Sequence, residues 1–185
     1  MSDSSTFDEK EIIARLRNSR TKEAAFTALI KEHSPSLYWQ IRRMVFSHDD
    51  ADDLLQNTFL KAWSNIDKFR GDSQLTTWLH RIAINETLNF LAKNHNNTIS
   101  IDSPEGEIAH RLESDTYFSG SHADALFQEA ISRLPDKQRL IFTLKYYKEL
   151  KYEEIAEMTD TSVGALKASY HIAVKKIEKF IEEHN

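Results

Sequence analysis

Between Asp49 and Asn89 the apolar residues recur at three-and-four spacing, a pattern that buries along one side of a helix and not on a strand. Leu54, Leu55, Phe59, Ala62, Trp63 and Ile66 form one stripe, leaving Asp53, Gln56, Asn57, Lys61 and Ser64 on the wet side. Asp49 is placed to cap this helix. Asp50, Asp52 and Asp53 set negative charge on its first turn, where backbone N–H groups lack helical partners. The run Asp67 to Ser73 breaks the pattern: Gly71 permits a tight turn, and Asp72 or Ser73 can cap the next helix. That second helix carries Trp78, Arg81 and Asn85 and is expected to run to about Lys93. A charged helix face beside a polar loop and a helix bearing aromatic, Arg and Asn side chains suits a protein partner on one side. The other side suits single-stranded nucleic acid.

Four glycines and three prolines in 185 residues argue for helix throughout, because turn-rich β folds use more of both. The formal net charge is -5, so a DNA-binding surface must be a local patch. A chain that gripped duplex alone would gain its affinity from an excess of cations. There is no cysteine, hence no disulfide framework and no thiolate ligand or nucleophile. His33, His48, His80 and His95 are scattered, so no metal site is expected, and no phosphate loop, nucleophile motif or carboxylate pair with a matching base supports catalysis. The reading is a non-enzyme with no cofactor. No apolar run reaches membrane-span length and the N-terminus is no signal peptide, so a cytoplasmic location without membrane insertion is expected.

Two helices precede the central stretch, over 7–17 and 21–32, and Ser34-Pro35-Ser36 is expected to interrupt or kink the second before it resumes over 37–46. Five apolar faces in roughly the first 95 residues suffice for one small helical core. From Asn94 to Ser121 periodicity stops, and the Asn, Ser, Pro and Gly content there reads as a linker. The expected division is 1–95, a linker over 96–121, and 122–185. In the last part, Pro135 can open a helix that continues to about Lys148. Tyr152 to Met158 is then a short helix, Thr159-Asp160-Thr161 a turn, and Ser162 the cap of a final helix, the arrangement of a helix-turn-helix. Lys167, His171, Lys175 and Lys179 fall four apart on its one side, opposite Val163, Leu166, Tyr170, Ile177 and Ile181.

Three blocks in order, and a fourth near the C-terminus, carry a resemblance. Asp52-Asp53-Leu54-Leu55-Gln56-Asn57-Thr58-Phe59-Leu60-Lys61-Ala62-Trp63 resembles region 2.2 of the extracytoplasmic-function sigma factors of bacterial RNA polymerase. Phe69-Arg70-Gly71-Asp72-Ser73 and Thr77-Trp78-Leu79-His80-Arg81-Ile82-Ala83-Ile84-Asn85 resemble regions 2.3 and 2.4. Leu134 through Lys176 resembles region 4, with Gly164 to His171 as its recognition-helix segment. The departures are Asn57 for an acidic residue, Ser169 and Ile172 where many relatives carry Arg, and Asp160 where a turn glycine is common.

The resemblance implies an all-α chain of two small helical domains, a region 2 bundle and a region 4 helix-turn-helix, joined by a flexible linker. It implies an alternative sigma factor that binds core RNA polymerase through Asp52, Asp53, Gln56, Phe59 and Lys61. Minus-ten promoter DNA would be met by Asn65, Lys68, Phe69, Arg70, Trp78, Arg81, Asn85 and Asn89. The minus-thirty-five element would be met by Ser162, Val163, Gly164, Lys167, Ala168, His171 and Lys175. An anti-sigma factor is a further expected partner. Against this stand plainer readings: Trp63 and Trp78 as core, Phe69 as either a loop anchor or a base contact, and the acidic face as merely solvated. A freestanding helix-turn-helix regulator that binds duplex without polymerase is the main rival, and a protein-only adaptor the third.

Overall fold

The computed structural model describes residues 9–97 and 122–184, and every regular element among them is helical. Helices α1 (Glu9–Arg17), α2 (Lys22–Val45), α3 (His48–Asn65) and α4 (Leu75–Asn97) form the N-terminal unit, with a 3₁₀ turn at Ile66–Lys68. Helices α5 (His122–Ser132), α6 (Asp136–Phe142), α7 (Tyr152–Thr159) and α8 (Val163–His184) form the C-terminal unit, with a π-helical turn at Thr143–Tyr147. None of the described helices is long and apolar enough to cross a membrane.

Of the two expected effects of Pro35, interruption does not occur: α2 runs through it as one helix. Proline removes one N–H from the ladder, and the Ser34 hydroxyl meets the next carbonyl along, donating to Ile30 O at 2.6 Å. Leu37, Ile41 and Met44 beyond it are fully buried, so tertiary packing holds the second half in helical form. The helix ends at Phe46, which takes φ 56° while its N–H bonds Arg42 O at 3.0 Å. A left-handed phenylalanine is strained, and burial is what holds it there: Phe46 is 2% exposed among α5, α6 and α8 residues.

The cap of α3 is Ser47, not Asp49: its hydroxyl accepts the Asp50 N–H at 3.3 Å, and Asp49 lies in the first turn. Nor do Asp72 and Ser73 cap α4. The carboxylate of Glu9, from α1, accepts the Leu75 N–H at 2.6 Å, and such a distant cap leaves no mark in the local sequence. Glu9→Ala should therefore lose about 1 kcal/mol, seen as a lower urea midpoint at unchanged slope. An unchanged midpoint would mean the bond is not made in solution. Helix α4 also continues through Asn97, four residues past the expected stop, with His95 Nε2 beside Asp136 Oδ2 of α6 at 3.1 Å. The remainder of the expected linker, 98–121, lies outside the described residues, as do Phe7 and Asp8.

Pro135 sits just before α6 rather than on its first turn, its carbonyl accepting the Arg139 N–H at 2.9 Å. The stretch expected to stay helical to Lys148 widens into the π-turn, and the chain reverses at Glu149, φ 53°. The helix-turn-helix forms as read. Asp160 adopts φ 52°, the role a turn glycine would fill, and Ser162 Oγ caps α8 through the Ala165 N–H at 3.3 Å.

Two apolar clusters hold the molecule. One is internal to the C-terminal unit apart from Phe46, and includes Ile131, Leu134, Phe142, Ala173 and Ile177. The other joins both units: Leu144, Ile155, Met158 and Leu166 pack in the same cluster as Leu29, Ile41, Leu79 and Ile84. The sequence left the placement of the two units open. In the structure they are packed shut.

Candidate nucleic-acid interface

Helices α3 and α4 lie side by side, and the C-terminal end of α3 borders, with the first four turns of α4, an open groove of about 510 Å³. Its walls are Lys61 and Asn65 from α3, Lys68 from the 3₁₀ turn, and Trp78, Ile82, Asn85, Glu86 and Asn89 from α4. Positions 78, 82, 85 and 89 recur at helical spacing, which is why one face of α4 supplies all four. An indole, an isoleucine and three amides beside two lysines are the groups that bind an unstacked base by its face and its edge. The Asn65 amide donates to Lys61 O at 2.8 Å.

The loop beside this groove is tied to the helices around it. Phe69 is 8% exposed and its ring lies 5.3 Å from that of Trp78. Of its two readings, loop anchor is the one the packing favours. Lys22 grips both Asp67 oxygens at 2.8 Å, tying the turn to α2, and Gly71 adopts φ 82°. A Cβ at Gly71 would meet nothing within 4 Å, so only the backbone conformation requires glycine there. Arg70 is exposed on the loop.

Arg81 does not join the groove. It lies round the side of α4, where its Nη2 donates to the backbone carbonyl of Glu157 in α7. Sequence reasoning also missed Glu86, whose carboxylate meets Lys61 Nζ at 2.5 Å across the groove. No local spacing reports a pair that depends on two helices meeting.

Along α3, Asp53 and Gln56 are exposed and Asp52 is half-buried, 3.4 Å from His48 Nε2. Lys61 lies apart from them in the groove, and Phe59 is 8% exposed, beneath the face rather than on it. Trp63, read as core, is corrected: it is 37% exposed, its ring edge-on to Phe26 at 5.0 Å and under the Lys22 ammonium at 4.9 Å. Leu60 beside it is 65% exposed. Two large apolar side chains left on an acidic face are a signal for a protein partner, which the burial tendency of tryptophan hid in the sequence.

On α8 most of the expected division of faces holds: Leu166 and Ile177 are buried, Tyr170 and Ile181 are half-buried against the apolar clusters, and Val163, expected inward, is half-buried outside them. Ala173 is buried too, whereas Ser162, Gly164, Lys167, Ala168, His171 and Lys175 are exposed. Lys167 Nζ stands 5.7 Å over the Tyr152 ring, and Lys179 meets Glu183 at 3.6 Å. Ile172 is 46% exposed.

Comparison with known proteins decides what the two surfaces belong to. The Sigma-70 region 2 family matches residues 29–96, and the Sigma-70 region 4 family matches 124–177. The RNA polymerase sigma-H factor of Pseudomonas aeruginosa is 28% identical over 94% of this chain and 94% of its own. The ECF RNA polymerase sigma factor SigW of Bacillus subtilis is 28% identical over 94% of this chain and 99% of its own. The chain belongs to the extracytoplasmic-function sigma factors. The fold agrees: CnrH, solved in complex with the cytosolic domain of CnrY, superposes with TM-score 0.70 at 20% identity, over 96% of this chain and 99% of that one. The sigma factor RpoE of Bartonella quintana, solved with the anti-sigma factor NepR, gives 0.66 at 24% identity over 85% and 96%. This sigma factor is thus a regulatory protein that directs transcription, and a freestanding helix-turn-helix regulator is not favoured because the first half of the chain is itself sigma region 2.

Proposed function

We propose that the sigma factor divides its work between units 1–95 and 122–185, with 96–121 as the span between them. The Asp52, Asp53 and Gln56 face of α3, with Leu60 and Trp63 beside it, docks on core RNA polymerase. Lys61 and Phe59 support that helix, one by pairing with Glu86 and the other from beneath. The groove between α3 and α4 takes a single-stranded minus-ten base. Trp78 offers a stacking surface, Asn65, Asn85 and Asn89 offer edge hydrogen bonds, and Lys68, Arg70 and Arg81 offer charge to phosphate. Phe69 acts by holding Trp78. Pulling a base from the stack costs a few kcal/mol, which stacking and edge bonds offset.

In the second unit the N-terminal end of α8, from Ser162 through Val163, Gly164, Lys167, Ala168 and His171 to Lys175, enters the major groove at the minus-thirty-five element. Fewer cations than usual point outward there. Phosphate attraction is correspondingly weak, which fits a protein carried to DNA by polymerase. Bond formation belongs to the polymerase; this chain, working in the cytoplasm, selects the promoter. An anti-sigma factor is the regulator expected to hold it off polymerase. The observation that carries the reading is the groove, where the amides and the indole converge from separate elements.

The test combines pull-down of core polymerase with run-off transcription. Asp53→Arg with Gln56→Ala should reduce polymerase capture at least tenfold, while Asn85→Ala should leave capture intact and lower transcript yield. Equal capture by native and double-variant chains would remove α3 from the interface.

A further inference from the structure

Helix α1 is fixed at both ends to the segment that leads from α3 into α4. At its start the Glu9 carboxylate accepts the Leu75 N–H at 2.6 Å. At its end Leu16, 2% exposed, packs in the cluster that holds Ile66 and Phe69. The turn after it is closed by Thr21, whose hydroxyl donates to Arg15 O at 2.8 Å and whose N–H bonds Asn18 O at 3.0 Å. Arg17, next to Leu16, is thereby held at the loop. It is exposed, and with Lys68 and Arg70 it lines an open notch of about 700 Å³ whose other walls are Asp67 and Phe69.

The notch is positive in a chain whose formal net charge is -5. Asp67 is the one carboxylate on its walls, and Lys22 Nζ already binds both oxygens at 2.8 Å. Among the described residues, no hydrogen bond or ion pair takes up the side chains of Arg17, Lys68 or Arg70. A plainer account is that Arg15 and Arg17 complement the C-terminal dipole of α1. It does not explain why Arg17 shares a notch with two further cations, since like charges repel. An anion resolves that crowding.

The groove next door says which anion. Lys68 stands on the wall of both the notch and the groove between α3 and α4. A phosphate lies on each side of every nucleotide, so a strand with one base in the groove carries its backbone past a rim. Guanidinium forks fit phosphate oxygens. The ring on the notch wall, Phe69, is 8% exposed, so the notch offers no platform for a base and would grip backbone alone.

We propose that Arg17, with Lys68 and Arg70, clamps a phosphate of the single strand next to the base held between α3 and α4, which makes α1 part of the promoter-melting surface. The clamp rests on the groove reading given above, and it adds a residue that lies before the stretch matching Sigma-70 region 2, 29–96. Phosphate contacts fix a strand's path without reading its sequence, so the contribution should be alike at every promoter.

The test uses holoenzyme assembled from core polymerase and the full chain. Its DNA is a partly single-stranded fragment of a promoter recovered by run-off transcription, with a neutral methylphosphonate placed at one minus-ten position at a time. Arg17→Gln keeps a good helix former and removes the charge. It should weaken DNA binding roughly fivefold at physiological salt. The plot of log affinity against log salt should flatten by about 0.7, the share of one single-strand phosphate. Core polymerase capture should not change, and Arg17→Lys should keep the native slope. Arg20→Gln removes the same charge from an exposed residue off the notch and should leave slope and affinity alone. One methylphosphonate beside the captured base should weaken the native holoenzyme by a similar factor and make no further difference to Arg17→Gln.

A native salt slope in Arg17→Gln, or losses that add independently at every methylphosphonate position, would overturn the clamp. So would reduced polymerase capture with unchanged DNA affinity, which would assign the notch to an acidic protein segment. Asn85→Ala separates the two readings. If it binds DNA as the native chain does while Arg17 stays coupled to one phosphate, the groove reading fails and the clamp stands. If it weakens binding and the coupling is absent, the groove stands and the clamp fails.

Discussion

Asp136→Ala should remove about 3–5 kcal/mol of stability, because it strands a buried guanidinium. Arg139 is 3% exposed. Its Nη2 donates to Asp136 Oδ1 at 2.6 Å, its Nη1 to Ser132 O at 2.9 Å, and its charge lies 5.3 Å over the Phe46 ring. Nε has no partner. Burial works against the charged form and the Asp136 carboxylate alone opposes it. A guanidinium cannot shed its proton near neutrality, so without Asp136 the protein must either bury the charge or unpack α6 to wet it. Asp136→Ala combined with Arg139→Met should recover most of the loss, since an apolar residue of that length suits a site between Phe46 and the α5–α6 corner. Urea unfolding of the four proteins of the cycle decides it. A loss below about 1 kcal/mol in the single variant would show that the Ser132 carbonyl and the Phe46 ring suffice by themselves.

That ion pair shows what the sequence could and could not reveal. Asp136 and Arg139 are three apart, so their contact was legible as helix spacing; that it is buried against Phe46, ninety residues earlier, was not. The same division runs through the molecule. Apolar stripes on α3, α6 and α8 were readable because periodicity is a local property, and the Ser162 cap and Asp160 turn followed from residue chemistry. Pro35 does not interrupt α2 because the local rule lost to burial of Leu37, Ile41 and Met44. The capping of α4 by Glu9 was invisible because its two partners stand 66 positions apart. In the candidate groove Asn65, Lys68, Trp78, Asn85 and Asn89 were nameable from the motifs. The opposition of Asn65 and Lys68 to the α4 face, the pairing of Lys61 with Glu86, and the departure of Arg81 toward Glu157 needed the fold.

His80 gives the protein an acid sensitivity whose sign follows from its surroundings. Gln40 Oε1 lies 2.7 Å from its Nδ1, and the Lys148 ammonium lies 3.3 Å from its Nε2 and 2.8 Å from Ser36 Oγ. Burial first, then the Lys148 ammonium and His33, hold its imidazole down to about 3 against an ordinary 6.5. The folded chain binds fewer protons here than the unfolded one, so stability falls with falling pH. The contribution is fully present above pH 6.5, declines by about 1.4 kcal/mol per unit below it, and is exhausted near pH 3. Between pH 7 and pH 5 this residue alone should cost about 2 kcal/mol. His33, also lowered chiefly by burial, adds in the same direction. Protonation would put a second cation beside Lys148 and remove the lone pair that accepts from it, so the seam between the units should yield first. His80→Asn retains a donor where Nδ1 meets Gln40 and cannot titrate. It should flatten the stability profile between pH 7 and pH 5 to what His33 leaves, measured as urea midpoints at closely spaced pH. A native profile already flat over that interval would mean that water reaches His80, and that the cluster of Ser36, Gln40, His80 and Lys148 is open in solution.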